Sequence, residues 1–320
     1  MTRSHRAKCA TLLAVATLAV AAATVGGTFG AFASQTVAAA NVITAMPDFR
    51  GPTISAVAIG KSTGYATAFI RTGATYYVYA DVTDVGTPPS GTASVTANVA
   101  NVTAGLTAVP MTAGSYTAGG VSYNYRSALL TADALPNGPL TFSVRATDAA
   151  ANVSTSGGNV TVDSAAPAPS NISASGGVAG RADVGDVVTL TTTDTLDTFR
   201  LLANWTGAAT TVQVRLVNAG GGDRLEIRDS TGATVLPFGT INLGRTDFVG
   251  GGGATFSAGT MTQAGNVITV VLGGTVTGTP GTAAGTGTMV WTPVATVTDR
   301  AGNAIATAAF NEPAPLDIDF

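Results

Sequence analysis

Apolar and polar residues alternate at every second position over much of this 320-residue chain. Tyr76, Val78, Ala80 and Val82 share one face of an extended run, with Tyr77, Tyr79 and Asp81 on the other. Residues 94–99 repeat the pattern with Val95, Ala97 and Val99, and residues 141–146 repeat it again. In the second half, residues 211–216 turn Val212, Val214 and Leu216 one way. Residues 224–228 set Leu225 and Ile227 against three charged neighbours, and residues 266–272 are more continuously apolar, as in a central strand. A period of two is the signature of β-strands. Gly, Pro, Asn and Asp clusters separate the runs and supply the positive φ values that hairpins need. No amphipathic helix is predicted, and residues 196–205 are expected to form at most one turn. The Gly250–Gly253 run and residues 273–288 predict long flexible loops. Trp205 and Trp291 are predicted core anchors.

An internal repeat divides the chain. The halves open alike, with Pro52-Thr53-Ile54-Ser55-Ala56 and Pro169-Ser170-Asn171-Ile172-Ser173-Ala174. They also close alike: residues 144–152 (VRATDAAAN) match residues 294–303 (VATVTDRAGN), and the first copy continues through Val160-Thr161-Val162-Asp163 to Pro167. This closing phrase resembles that of bacterial Ig-like domains of surface proteins and adhesins. The resemblance implies an all-β protein of two tandem Ig-like β-sandwich domains, residues 51–167 and 168–320, the second with long Gly-rich loops. It also implies that the Asp and Asn turn a corner between the last two strands. Ala151 stands where the pattern has Gly. No clear VTVD strand follows Asn303: either this end differs, or residues 304–310 take that place. Many short alternating strands must in any case stack two sheets or close a barrel.

Arg3, Arg6 and Lys8 precede an apolar run from Ala10 to about Val25, and Ala31-Phe32-Ala33 offers a cleavage site. Residues 1–33 therefore read as a secretory signal, with an apolar run shorter than the roughly 20 residues a membrane span needs. Residues 34–50 read as an N-terminal extended segment. The stretch from Gly26 to Ala33 (GGTFGAFA), followed by residues 41–45 (NVITA), resembles the signal region of TasA-type and camelysin-type exported proteins, departing from it at Met46. That resemblance implies export through a dedicated SipW-type peptidase and, for several relatives, extracellular fibres. Secretion is expected, free or held non-covalently at a cell surface, with no membrane insertion after signal cleavage.

His5 and Cys9 are the only histidine and cysteine in the sequence. Residues 34–320 therefore cannot build a Ser-His-Asp or Cys-His site, a metal site needing His or Cys, or a disulfide. Three of the fifteen basic residues lie in the signal, leaving twelve against eighteen acids, a net charge of −6. That balance argues against nucleic acid as a partner. Asp148, Asn152, Asp163, Asp299 and Asn303 are the calcium candidates, because calcium takes several carboxylate and carbonyl oxygens at once. The same residues also fit Asx turns, in which Asp or Asn caps its own backbone. Asp194 with Asp197, and Asp223 with Glu226 and Asp229, are acids spaced by three. A glycosidase would need two such groups held across one cleft, and surface charge accounts for them otherwise. Tyr76, Tyr77, Tyr79, Tyr116, Tyr123 and Tyr125 can stack on sugars or pack their rings at strand ends. Lys61, the only lysine after the signal, is expected in a loop beside Gly60 and Ser62. An isopeptide cross-link from it would need burial beside Asn and an acid.

Together these features lead us to expect no catalytic residues and no cofactor apart from calcium. The expected function is that of a secreted, non-enzymatic structural or adhesive protein meeting an extracellular protein or polysaccharide surface. Self-assembly by strand addition at a free sheet edge is a further possibility for such a chain. The competing expectation is a carbohydrate-binding accessory protein, or a carboxylate-based glycosidase acting on extracellular polysaccharide.

Overall fold

The computed structural model describes residues 48–62, 66–314, 318 and 320. The expected signal and residues 34–47 of the extended segment lie outside them. The described residues are nearly all β, in two sheets, one from each half of the chain.

The first sheet is built from β1 (Thr53–Lys61), β2 (Phe69–Ile70), β3 (Thr75–Thr83), β4 (Thr92–Asn98), β5 (Val109–Ala118), β6 (Val121–Ser127), β7 (Leu130–Thr131), β8 (Gly138–Asp148) and β9 (Val153–Val162). Its strand order is β1-β3-β6-β5-β4-β8-β9-β2, with β7 added to β3. Strand β5 changes partner along its length: Val109 and Pro110 pair with β4, and residues from Met111 to Ala118 pair with β6. The Gly119-Gly120 turn between β5 and β6 has φ of 59° and 77°, which side chains with a Cβ avoid. The predicted apolar faces point inward. Tyr76, Val78 and Ala80 are fully buried, as are Ala97 and Val99, and they pack with Ile59, Val144 and Val160 into one core.

The second sheet comprises β10 (Pro169–Ser175), β11 (Val187–Thr192), β12 (Thr210–Val217), β13 (Arg224–Arg228), β14 (Thr240–Asn242), β15 (Val249–Ala264), β16 (Val267–Val271), β17 (Val276–Pro280), β18 (Val290–Thr292) and β19 (Phe310–Asn311). A single helical turn, α1 (Thr198–Leu201), precedes β12. The order is β10-β11-β16-β15-β12-β13-β14-β18-β19, with β17 on β15. The apolar segment β16 is central, between β11 and β15, as its composition predicts. This half has its own core, in which Val212, Val214 and Leu216 are fully buried. Trp291 is 1% and Trp205 4% exposed, and their indole N–H groups donate to Phe238 O and Ala208 O. Burying a Val, Leu or Ile is worth roughly 1.5–3 kcal/mol. The exposed pair Arg181–Asp183, whose side chains are 48% and 36% exposed, belongs to a class worth roughly 0–1 kcal/mol. The two apolar cores, not surface ion pairs, therefore carry the stability.

Two local expectations change, and one alternative is decided. The Gly250–Gly253 run is not a loop but part of the 16-residue strand β15, and β17 rises out of the second Gly-rich stretch to pair with it. Glycine is allowed in extended backbone, and the bulge between Val249 and Ala254 takes up the irregular register. Residues 304–310 do not replace the missing strand: Ala304 makes one bridge to Thr298, and only Phe310 and Asn311 pair, with β18. Lys61 is not in a loop. It ends β1 with its side chain 6% exposed, because the second half covers it.

Ala151 adopts the left-handed conformation its position demands, with φ of 67°, as does Gly302 at φ of 95° in the second copy. A left-handed residue with a Cβ is strained by roughly 1–2 kcal/mol, partly offset by the lower unfolded-state entropy of Ala. Replacing Ala151→Gly is expected to stabilise the protein by up to about 1 kcal/mol in urea unfolding. Gly302→Ala is expected to destabilise it, because a side chain is strained at its φ of 95°.

Candidate functional site

Both halves end in the same corner, built on one carboxylate. Asp148 accepts from the Asn152 N–H at 2.8 Å and the Asn152 side-chain amide at 2.9 Å. Asp299 accepts from the Asn303 N–H at 2.9 Å, the Asn303 amide at 2.8 Å and the Gly302 N–H at 2.7 Å. These are the Asx-type turns that the spacing allows. The second amide hydrogen of each Asn reaches the chain entering that half: Asn152 donates to Asp48 O at 2.9 Å and Asn303 to Asp163 O at 3.0 Å. Each corner thus ties the end of a half to its own beginning.

Other acids converge on the corners. Carboxylate oxygens of Asp48, Asp84 and Asp148 lie within 4.8 Å of one another, as do those of Asp163, Asp194 and Asp299. The two triads are equivalent. Asp48 and Asp163 precede the opening strand, Asp84 and Asp194 follow β3 and β11, and Asp148 and Asp299 start the corner. Of the calcium candidates, Asp148 falls in one triad and Asp163 and Asp299 in the other, while Asn152 and Asn303 act as amide donors. Sequence reading missed Asp48 and Asp84, and weighed Asp194 only with Asp197 as acids spaced by three. A usable signal was present in the shared four-residue spacing from Asp48 to Pro52 and from Asp163 to Pro167.

The triads differ electrostatically. Asp48 is held below the usual carboxylate range, first by the Arg50 N–H and then by Ser90. Its carboxylate also fills the space a side chain at Gly86 would need. In the second triad, burial pushes Asp194 and Asp299 up, and the neighbouring Asp163 pushes both further. Three carboxylates placed this closely repel one another unless they share protons or a cation. A hard divalent cation fits such oxygens chemically.

The second triad sits beside the contact between the halves. Arg300 lies 4.0 Å over the Phe69 ring, with Nη2 3.9 Å from Asp194 Oδ1. Lys61 Nζ lies 3.7 Å from Asp197 Oδ2, the two side chains being 6% and 1% exposed, and it donates to Arg300 O. Burial lowers the Lys61 pKa, against the opposing pull of Asp197 and Asp299. Asp197 also caps α1, accepting from the Phe199 N–H at 3.2 Å.

The remaining candidates are separated. Asp223 is fully buried and accepts from the Ala219 and Val249 N–H groups. Glu226 pairs with Arg228 at 2.6 Å, and Asp229 caps the turn at Thr231 and Ala233. Each acid is engaged by its own local donors. Tyr76 is interior, its hydroxyl 2.8 Å from Thr103 Oγ1, and Tyr125 packs against the same core. Tyr77, Tyr79, Tyr116 and Tyr123 form a separate cluster. There Arg126 lies 4.3 Å over the Tyr77 ring and 4.4 Å over the Tyr116 ring, occupying a face of each that a sugar would need.

No protein-family model matches this chain, and no curated protein matches it.

Two measurements follow from this geometry. A carboxylate with a raised folded-state pKa destabilises above that pKa, and the penalty vanishes below the ordinary value of 3.8. Asp194→Asn is therefore expected to raise the melting temperature near neutral pH in chelator, with the advantage fading as pH falls to 3.8. Asp197→Ala strips the counter-charge from buried Lys61 and should cost on the order of 3–5 kcal/mol in urea unfolding.

Proposed function

We propose that this chain is a secreted, non-enzymatic structural or adhesive protein built of two tandem Ig-like β-sandwich domains. The observation that carries this reading is the duplicated corner. Two halves, each with its own apolar core, are closed by the same Asp–Asn device, which also fastens the entering chain. A unit that ties its end to its entry can be joined in series without loss of rigidity, which suits a spacer or scaffold. Secretion is the expectation from the N-terminal signal pattern, and an extracellular protein or polysaccharide surface is the proposed partner.

Deletion of the chain from the producing cells is expected to weaken surface adhesion or extracellular matrix retention, and re-expression to restore it. Release of reducing sugar from any polysaccharide by the purified protein, lost on replacing a single Asp or Glu, would overturn the reading in favour of a glycosidase.

A second reading adds calcium at the triads, favoured by the appearance of the same three-carboxylate arrangement in both halves. Here the cation stiffens each entry segment against its corner. Calcium is expected to raise the melting temperature and chelator to lower it, and Asp194→Asn should shrink the response. An identical midpoint with calcium and with chelator would remove calcium from the proposal.

A further inference from the structure

A cleft of about 210 Å³ opens where the halves meet, lined by Lys61, Arg71 and Arg200 together with Ser62, Thr75 and Thr298. No carboxylate is among its described lining residues. This is a concentration of positive charge in a chain whose residues 34–320 hold only twelve basic side chains against eighteen acids. Arg71 follows β2 in the first half, and Arg200 lies on α1 in the second, so the charges converge only because the halves meet. Both arginines are exposed, and neither forms an ion pair among the described residues. The nearby acids are buried and already engaged: Asp197 with Lys61 and α1, Asp299 with its corner.

Like charges around a gap repel, and an anion placed between them turns each repulsion into an attraction. Guanidinium groups hold phosphoryl, sulfo and carboxylate oxygens through paired N–H donors. The cleft supplies two such groups, Arg71 and Arg200, and three hydroxyls, with Ser62 Oγ 2.6 Å from Thr75 Oγ1, while the Lys61 ammonium is held by Asp197 and Arg300 O.

We propose that the cleft binds an oxyanion, namely a phosphoryl, sulfo or carboxylate group borne by an extracellular polysaccharide. The cleft chemistry stands by itself; the polysaccharide source rests on the scaffold reading. Bound there, the anion would touch both halves and brace the junction between them.

The test is calorimetric titration of the secreted chain at low ionic strength with inorganic phosphate, sulfate and glucuronate. Retention on phosphorylated, sulfated and uronate polysaccharides is measured in parallel, with uncharged dextran as control. Arg71→Gln and Arg200→Gln alter exposed side chains, and melting curves check that the fold is kept. Binding is expected to weaken by about tenfold or more in the double variant, and to fall with added salt. The charged polymer retained best identifies the group. Failure of all three small anions to bind, or equal binding by the double variant, would overturn the cleft. Small-anion binding without retention on any charged polymer would overturn the polysaccharide source. Neither result would touch the matrix phenotype that tests the scaffold reading.

Discussion

One buried carboxylate at the end of each half organises the structure around it. Asp148 and Asp299 collect N–H donors from a five-residue corner, and the Asn that supplies two of them spends its last donor on the entering chain. Further bonds hold the same segments: Ser90 donates to the Asp48 carboxylate, the Asp163 N–H to Ile70 O and the Ala306 N–H to Pro167 O. The Asn bond links the start of each half to its finish. The carboxylate triads follow from this, because the entry segment brings Asp48 or Asp163 to a site where the corner acid already lies.

The same geometry makes the two junctions unequal. In the first triad N–H and hydroxyl donors hold Asp48 in its charged form, whereas in the second burial drives Asp194 and Asp299 toward the neutral form. The contact between the halves also buries Lys61, whose stem lies beside Gly302. Gly302 meets the left-handed φ of the second corner without a Cβ, whereas Ala151 at the matching place in the first corner bears a methyl group and its backbone strain.

The junction collects most of the unusual chemistry of a chain that has little. Its cores are aliphatic and aromatic, its surfaces rely on Thr, Ser and Asn, and its isolated acids cap turns. Where the halves meet, Lys61, Arg71, Arg200 and Arg300 stand close to the second triad and to Asp197. Lys61 pairs with Asp197 inside and Arg300 with Asp194 nearer the surface, while Arg71 and Arg200 face outward. On those two outward arginines the proposed anion site rests.

Strand positions and their inward faces were legible in the sequence because period two requires only that alternate residues be apolar, as in residues 76–82 and 211–216. The two corners were legible because an Asx turn is local, lying within five residues. The sequence misled where partners decide. The Gly250–Gly253 run carries no side-chain pattern, and it lies within a strand because Val249 and Ala254 on either side of it pair with β17, and Ala254 also with β12. Lys61 has loop-like neighbours, and its burial comes from residues more than a hundred positions away. The triads lay between these cases, since each needs one acid from the entry, one from the second long strand and one from the corner. Sequence by itself determined which residues prefer extended backbone and which can turn it. Tertiary structure decided which charges meet, because electrostatic energy depends on distance and burial, and neither exists until the sheets have closed.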